Sequence, residues 1–558
     1  MPPQIPLFRS RYALAMLGGL VLTSAFPNIG VAGMAWIGPG ILAGAALGKS
    51  GGERFRIGYA GALVHYLSIL YWVLLIPYRW HGLPLAPAAG WLAMSGVLAL
   101  FPATWVALVA AVHRGAPKAP SEPLAQSLFG TSDAQDLRGV LARGWARRMC
   151  WALGGAASWV AFEMVLARFL GGFPWNLLGV SQYRMAPLIQ MSSITGVYGV
   201  SFLVAWGSLS LLSAALMVIR RPTARSVWVG EVLLPLLVVA VVFNLGTRHL
   251  RSQPAAEHAL KVALVQPSIP QTVIWNASDD TNRFRHVLEL SEAALTNRPD
   301  LLVWPESAVP EMIRYDQATF DAITGLAHRH HVWIILGSDD AEPRRNAVQR
   351  EENYFNSSFL VSPEGQLRER YIKRNLVMFG EYVPFQHWLP FLKYFTPIQG
   401  GFTPGTRPVP FELRDLGVRT SVLICYEDTF PQLGRDSTGP DTDFLVNITN
   451  DGWFDEGAEQ WQHATTALFR AVENHVPLLR CCNNGLTCWI DSDGRLRDIF
   501  RDDHGTIYGP GFMTIEVPLA PPGTARTLTF YTRNGDVFGW ICVGICGLMI
   551  LGRWARRG

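Results

Sequence analysis

The chain runs to 558 residues, of which 49% are hydrophobic types and only 16% are charged. A water-soluble chain carries about a quarter charged residues, so this composition excludes an ordinary soluble globular protein. A formal net charge of +4 leaves no electrostatic footprint for nucleic acid, whereas twenty tryptophans suit side chains parked at a membrane interface.

Eight apolar stretches approach the roughly 20 residues needed to cross hydrocarbon, at 12–27, 31–48, 57–77, 87–112, 150–170, 191–219, 226–246 and 535–552. The first two, broken near Pro27-Asn28, are together too long for a cleaved secretory signal. Short loops alternate in basic content. Arg9 and Arg11, then Lys49, Arg54 and Arg56, then Arg114 to Arg148, Arg220 to Arg225, and the Arg553–Arg557 tail form one set; the intervening loops hold chiefly Arg79 and Arg184. Basic short loops stay cytoplasmic. Both termini are therefore expected inside the cell, and the segment from about 248 to 534 outside the membrane. The basic loop 113–149 is read as a surface insertion. Glu163 and Glu231, within or near spans, fit helix packing or an interfacial position as well as a substrate contact.

The outer segment has a different grammar. Short β-branched or apolar runs at 261–266, 301–304, 332–336, 354–361, 418–424, 444–448, 478–482 and 487–490 alternate with helical patterns. That alternation predicts a layered α/β domain. The division expected is 1–247 for seven membrane helices, 258–520 for the α/β domain and 535–552 for a last helix.

Three segments there can carry chemistry. Trp304-Pro305-Glu306-Ser307 puts a carboxylate directly after a strand, at the rim where open sheets hold their sites. Lys373, followed eight residues later by Glu381, offers a cation to a developing oxyanion. Cys425 ends another strand, with Tyr426, Glu427 and Asp428 after it; a thiol attacks only as thiolate, so a nearby carboxylate must take its proton. No HExxH or Cys-x-x-Cys spacing points to a metal, and no phosphate loop or serine elbow occurs. No cofactor or metal is expected. Of seven cysteines, Cys481, Cys482 and Cys488 lie close enough in sequence to leave a disulfide open.

These segments, together with Phe379-Gly-Glu-Tyr-Val-Pro384, resemble the nitrilase superfamily. More closely they resemble its membrane-bound branch, the bacterial apolipoprotein N-acyltransferases. Gly172-Phe-Pro-Trp-Asn176, Gly196-Val-Tyr-Gly-Val200, Ile269-Pro-Gln271 with Trp275, Asn450-Asp-Gly-Trp-Phe454, Arg470-Ala-Val-Glu-Asn474 and Asn483-Asn-Gly485 extend the likeness along nearly the whole chain. The resemblance implies an αββα sandwich over a bundle of eight membrane helices in the bacterial inner membrane. It implies Glu306 as general base, Lys373 as oxyanion stabiliser and Cys425 as nucleophile, with Glu381, Tyr426, Glu427 and Trp275 in support. It also implies a phospholipid acyl donor and a diacylglyceryl apolipoprotein acceptor. A monomer is expected. The aromatic stretch holding Trp388, Phe391, Tyr394 and Phe395 reads equally as a lipid gate or as a packed loop. A membrane-anchored amidase with the same residues, or a transporter with an inert outer domain, are the rival readings.

Overall fold

The structure, a computed structural model, describes residues 10–77, 85–111, 144–220, 228–252, 258–274, 276–344, 352–385, 388, 401–521 and 524–555. The chain forms two compact units. One comprises Met1–Tyr71, Ala89–Arg251 and Asp536–Gly558, the other Trp72–Ala88 and Ser252–Gly535.

The first unit is helical. Five of its described helices are long and apolar enough to cross a membrane: Ala86–Val109, Trp145–Leu166, Val197–Ile219, Val229–Arg251 and Val537–Trp554. The first of these is divided at Ala99 into Ala86–Leu98 and Leu100–Val109. Pro102 has no N–H to give the Leu98 carbonyl four residues back, which favours a break there. The two expected spans at 12–27 and 31–48 are shorter helices, Arg11–Thr23 and Gly38–Ala46. The Arg11–Thr23 helix meets the Gly51–Ile69 helix backbone to backbone, since a methyl on Gly19 would sit 2.1 Å from the Gly61 carbonyl. Small residues allow such approach between helices that have little else to drive them together. Glu231 is buried in an ion pair with Arg148 at 2.5 Å. Glu163 accepts from the Trp159 indole at 2.9 Å and from the Leu178 amide at 2.7 Å. Both acidic side chains thus serve helix packing.

The expected span 57–77 needs correction at its end. The helix stops at Ile69, and Tyr71–Leu75 form a 3-10 turn. Trp72–Ala88 belong to the second unit. There the Trp72 indole donates to Gln462 at 3.1 Å and its ring meets Phe454 edge-on at 4.5 Å. Trp72 and Val73 are buried there, whereas Tyr71 and Leu74 stay exposed.

The second unit holds two six-stranded sheets. Its strands are β1 (His258–Gln266), β2 (Leu301–Val303), β3 (Trp333–Pro343), β4 (Glu352–Val361), β5 (Leu367–Ile372), β6 (Pro410–Leu413), β7 (Val418–Ile424), β8 (Phe444–Thr449), β9 (Leu478–Cys482), β10 (Cys488–Ile490), β11 (Leu496–Ile499) and β12 (Gly511–Leu519). One sheet has the order β12-β1-β2-β3-β4-β5, the other β11-β10-β9-β8-β7-β6. Alternation sorts each strand onto two faces. Leu260, Val262 and Leu264 of β1 join Val422, Ile424, Val446 and Ile448 in one core between the sheets, while Ala263 and Val265 join a second core under the helices Asp280–Leu295 and Gln317–His330. Helices cover the outer faces, which gives the αββα layering. β5, β6, β11 and β12 are strands that the apolar pattern does not announce, because charged residues interrupt them or they are only four residues long.

Both sheets have parallel centres, β1-β2-β3 and β7-β8-β9. The turns after β2, β7 and β8 therefore leave from carboxyl ends, where such folds build sites. Gly337 in β3 makes room for the first of these turns. A methyl there would lie 2.5 Å from the Pro305 carbonyl oxygen and 2.8 Å from the Glu306 Cα. Replacing Gly337 by Ala is expected to cost about 1–3 kcal/mol of stability through overpacking and to displace Glu306. Thermal unfolding of the purified variant, compared with the parent, checks the first effect; an unchanged Tm would contradict it.

Candidate active site

Lys373 directly follows β5 and is only 1% exposed. Its ammonium donates to Glu381 Oε1 at 2.8 Å and to Glu306 Oε1 at 3.2 Å. Burial opposes its charge, but Glu306 first and then Glu381 outweigh that and hold the ammonium well above its ordinary pKa. Asn356, in the middle of β4, donates through Nδ2 to the same two carboxylates, at 2.8 Å and 2.9 Å. The second oxygen of Glu306 accepts the Asn450 amide at 3.1 Å, and that of Glu381 the Val377 amide at 2.7 Å. Every carboxylate oxygen in this cluster is thereby satisfied, as buried charge requires.

Cys425 leaves β7 at a sharp turn with φ +53°, a left-handed backbone for a residue with a side chain. Strained positions of this kind persist only when their surroundings over-determine them. Asn447 holds this one, its Nδ2 donating to the Cys425 carbonyl at 2.9 Å and to that of Leu423 at 3.2 Å. Glu427 holds it from the other side. Its fully buried carboxylate accepts the amides of Ile424 at 2.8 Å, Arg374 at 2.6 Å and Asn375 at 3.1 Å, and the Tyr371 hydroxyl at 2.8 Å. Glu427 thus ties the thiol's turn to the residues on either side of Lys373. Burial pushes the Cys425 thiol well above its ordinary pKa, Glu306 adds to this, and Lys373 opposes it. The thiol therefore rests protonated. Glu306 is the carboxylate whose field the thiol feels most.

A second charge cluster lies behind the turn. His463 is buried with one ring nitrogen 2.8 Å from Asp428 and the other 2.9 Å from Asp451. Burial works against its proton, yet Asp428 and then Asp451 hold the imidazole up to about 10. Arg480 pairs with the same two carboxylates, at 3.3 Å from Asp451. Asp451, Glu459 and His463 could together face a metal ion. However, both ring nitrogens are already engaged and Arg480 brings a positive charge to the same carboxylates, so the cluster reads as an internal charge network.

The sequence-expected Glu306, Lys373 and Glu381 are in direct contact. Glu427 acts on the backbone around them, and Tyr426 packs edge-on against Phe430 at 5.0 Å. Trp388 is 85% exposed. Trp275, Phe391, Tyr394 and Phe395 lie outside the described residues. All seven cysteines are free, with Cys481, Cys482 and Cys488 buried. Sequence reasoning missed Asn356 and the role of His463. A lone Asn at a core position of β4, and a buried His on a helix whose residues are nearly all buried, were the available signals.

Two family models match, the carbon-nitrogen hydrolase over residues 261–508 and the apolipoprotein N-acyltransferase N-terminal domain over residues 18–210. The apolipoprotein N-acyltransferase of Geobacter metallireducens is 34% identical over 97% of this chain and 95% of its own length. That of Brucella melitensis is 32% identical over 62% of this chain and 66% of its own. Among solved structures, a nitrilase-superfamily amidase of Nesterenkonia aligns at 16% identity with a TM-score of 0.36, covering 48% of this chain and 92% of that one. With its apolar half and its α/β half both matched in order, the chain belongs to the apolipoprotein N-acyltransferase family of membrane enzymes.

Proposed function

We propose that this enzyme N-acylates lipoproteins, moving a fatty acyl group from a phospholipid to the α-amine of an S-diacylglyceryl-cysteine through a thioester on Cys425. The observation that carries this reading is the Glu306–Lys373–Glu381 cluster, joined through Glu427 to the turn of Cys425. In the first half-reaction Glu306 takes the thiol proton and the sulfur attacks the ester carbonyl. Lys373 has a third N–H beyond the two given to Glu306 and Glu381, and this one stabilises the tetrahedral oxyanion. Collapse expels the lysophospholipid alkoxide, which receives the proton from Glu306. In the second half-reaction the acceptor amine attacks the thioester, and Glu306 takes a proton from the attacking nitrogen and passes it to the departing sulfur. Glu381 and Glu427 position Lys373 and the nucleophile.

The membrane part fits two lipid substrates, since each buried CH₂ of an acyl chain contributes about 0.8 kcal/mol. Eight spans, with both termini cytoplasmic and the α/β unit on the outer side of a bacterial inner membrane, agree with the alternating basic loops. Trp275 belongs with the supporting residues. Trp388, whose ring is exposed, and Phe391, Tyr394 and Phe395 supply an apolar gate for the chains. One chain carries all the named groups, consistent with a monomer.

Incubated with phospholipid, the purified enzyme should gain the mass of one acyl group, and Cys425→Ala should gain none and transfer none. An adduct on the variant, or none on the parent, refutes the thioester. Lys373→Met should slow adduct formation about 10²- to 10³-fold, the usual loss for one oxyanion donor, while phospholipid still binds. Adduct kinetics equal to the parent's would remove Lys373 from the reaction.

A further inference from the structure

Acylating an amine poses a proton problem that one base does not solve. An α-amine has a pKa of about 7.7–8.0, so near neutral pH the acceptor arrives mainly as an ammonium. Amide formation removes two of its three protons. Glu306 handles one, passing it to the Cys425 sulfur as the C–S bond breaks. The other needs a second acceptor.

The register of β3 and β4 pairs Asp339 with Asn356, so the two side chains share one face of the sheet. On that face Asn356 donates to Glu306 and Glu381. Gly337, two residues earlier and hence on the same face, lies against the backbone of Pro305–Ser307. The Asp339 Oδ1 is buried and has no hydrogen-bond partner among the described residues, while the residue as a whole is half-buried. It is a carboxylate at the margin of the cluster with an unused oxygen.

We propose that Asp339 is the second base, taking the surplus proton from the acceptor's ammonium before the amine attacks the Cys425 thioester. This rests on the thioester reading above. The protons then balance. The ammonium gives one proton to Asp339; the free amine forms the C–N bond and gives one through Glu306 to the sulfur as the C–S bond breaks; Asp339 returns its proton to water. Burial, then Glu306 and Glu381, push the Asp339 carboxyl up to about 7, against the pull of Lys373. A base of that strength is matched to an amine near neutral pH. The charged groups that bear on it are Glu306 after β2, Lys373 after β5, Glu381, and its strand neighbour Asp340. Asp340 points to the opposite face, where Arg314 at 2.7 Å and Arg370 pair with it.

The test uses full-length enzyme already acylated by phospholipid, mixed rapidly with a diacylated lipopeptide at pH 6 to 9 and quenched for mass analysis. Only the acylated fraction is followed, so altered loading does not enter the rate. The acylated fraction of Asp339→Asn should transfer about tenfold more slowly than the parent's at pH 7, where about a tenth of the amine is neutral. The deficit should shrink to less than twofold at pH 9, and Asp339→Glu should retain most of the parent rate. Equal transfer at pH 7, or a deficit of constant size across the range, overturns the role of Asp339 and leaves the thioester standing. Absence of the adduct from the parent enzyme removes both.

Discussion

An ammonium held at 1% exposure cannot stand alone in protein, because desolvating an unpaired charge costs more than a fold can supply. Lys373 therefore requires Glu306 and Glu381, and they require it. Their convergence draws together the turn after β2, the exit of β5 and the turn at Val377–Glu381, with Asn356 of β4 bonding both carboxylates. One buried lysine thus fixes the relative places of four chain segments. Two carboxylates around one ammonium also leave a negative surplus, and that surplus keeps a nearby thiol neutral.

Three of the four residues from Cys425 to Asp428 divide the work of connecting this cluster to the rest of the unit. Cys425 presents the sulfur at a strained backbone. Glu427 reaches back to the amides beside Lys373, and Asp428 reaches the opposite way to His463 and Arg480. The Cys425 turn is therefore clamped between two buried charge networks. Asn450 and Asp451, adjacent in sequence, bond to Glu306 and His463 respectively, so one turn spans both networks. The covalent step proposed at Cys425 demands precision of this kind, since small displacements of a nucleophile cost large factors in rate.

Much of this was legible in the sequence, and the limits have physical causes. Strands buried on both faces, such as β1, β7 and β8, read plainly because burial of both faces leaves a near-continuous apolar run. β5 did not, since its Leu-Arg-Glu-Arg-Tyr-Ile pattern exposes charged side chains at a sheet edge. Glu306, Lys373 and Cys425 were visible because each closes an apolar strand or sits beside a family-like motif. Asn356 was not, since a single polar residue within a strand carries no periodic signal and its partners lie 50 and 25 positions away. The end of the expected span at 57–77 was not legible, because apolar composition does not distinguish the helix that stops at Ile69 from the 3-10 turn Tyr71–Leu75 that follows it.

A nucleophile that rests as a thiol has a consequence for an enzyme proposed to work outside the cytoplasm. Oxidation and disulfide exchange both proceed through the thiolate. An exposed cysteine with a depressed pKa would be a target there. Cys425 is partly open to its surroundings yet protonated, held so by burial and by Glu306, while Cys481, Cys482 and Cys488 are buried, and burial raises each of their pKa values. In the proposed reaction the sulfur becomes reactive only when a carbonyl arrives, because only then does transfer of its proton to Glu306 accompany bond formation and only then does the remaining Lys373 N–H find an oxyanion to meet. Coupling ionisation to substrate in this way gives up the head start of a preformed thiolate and gains a nucleophile that survives between turnovers.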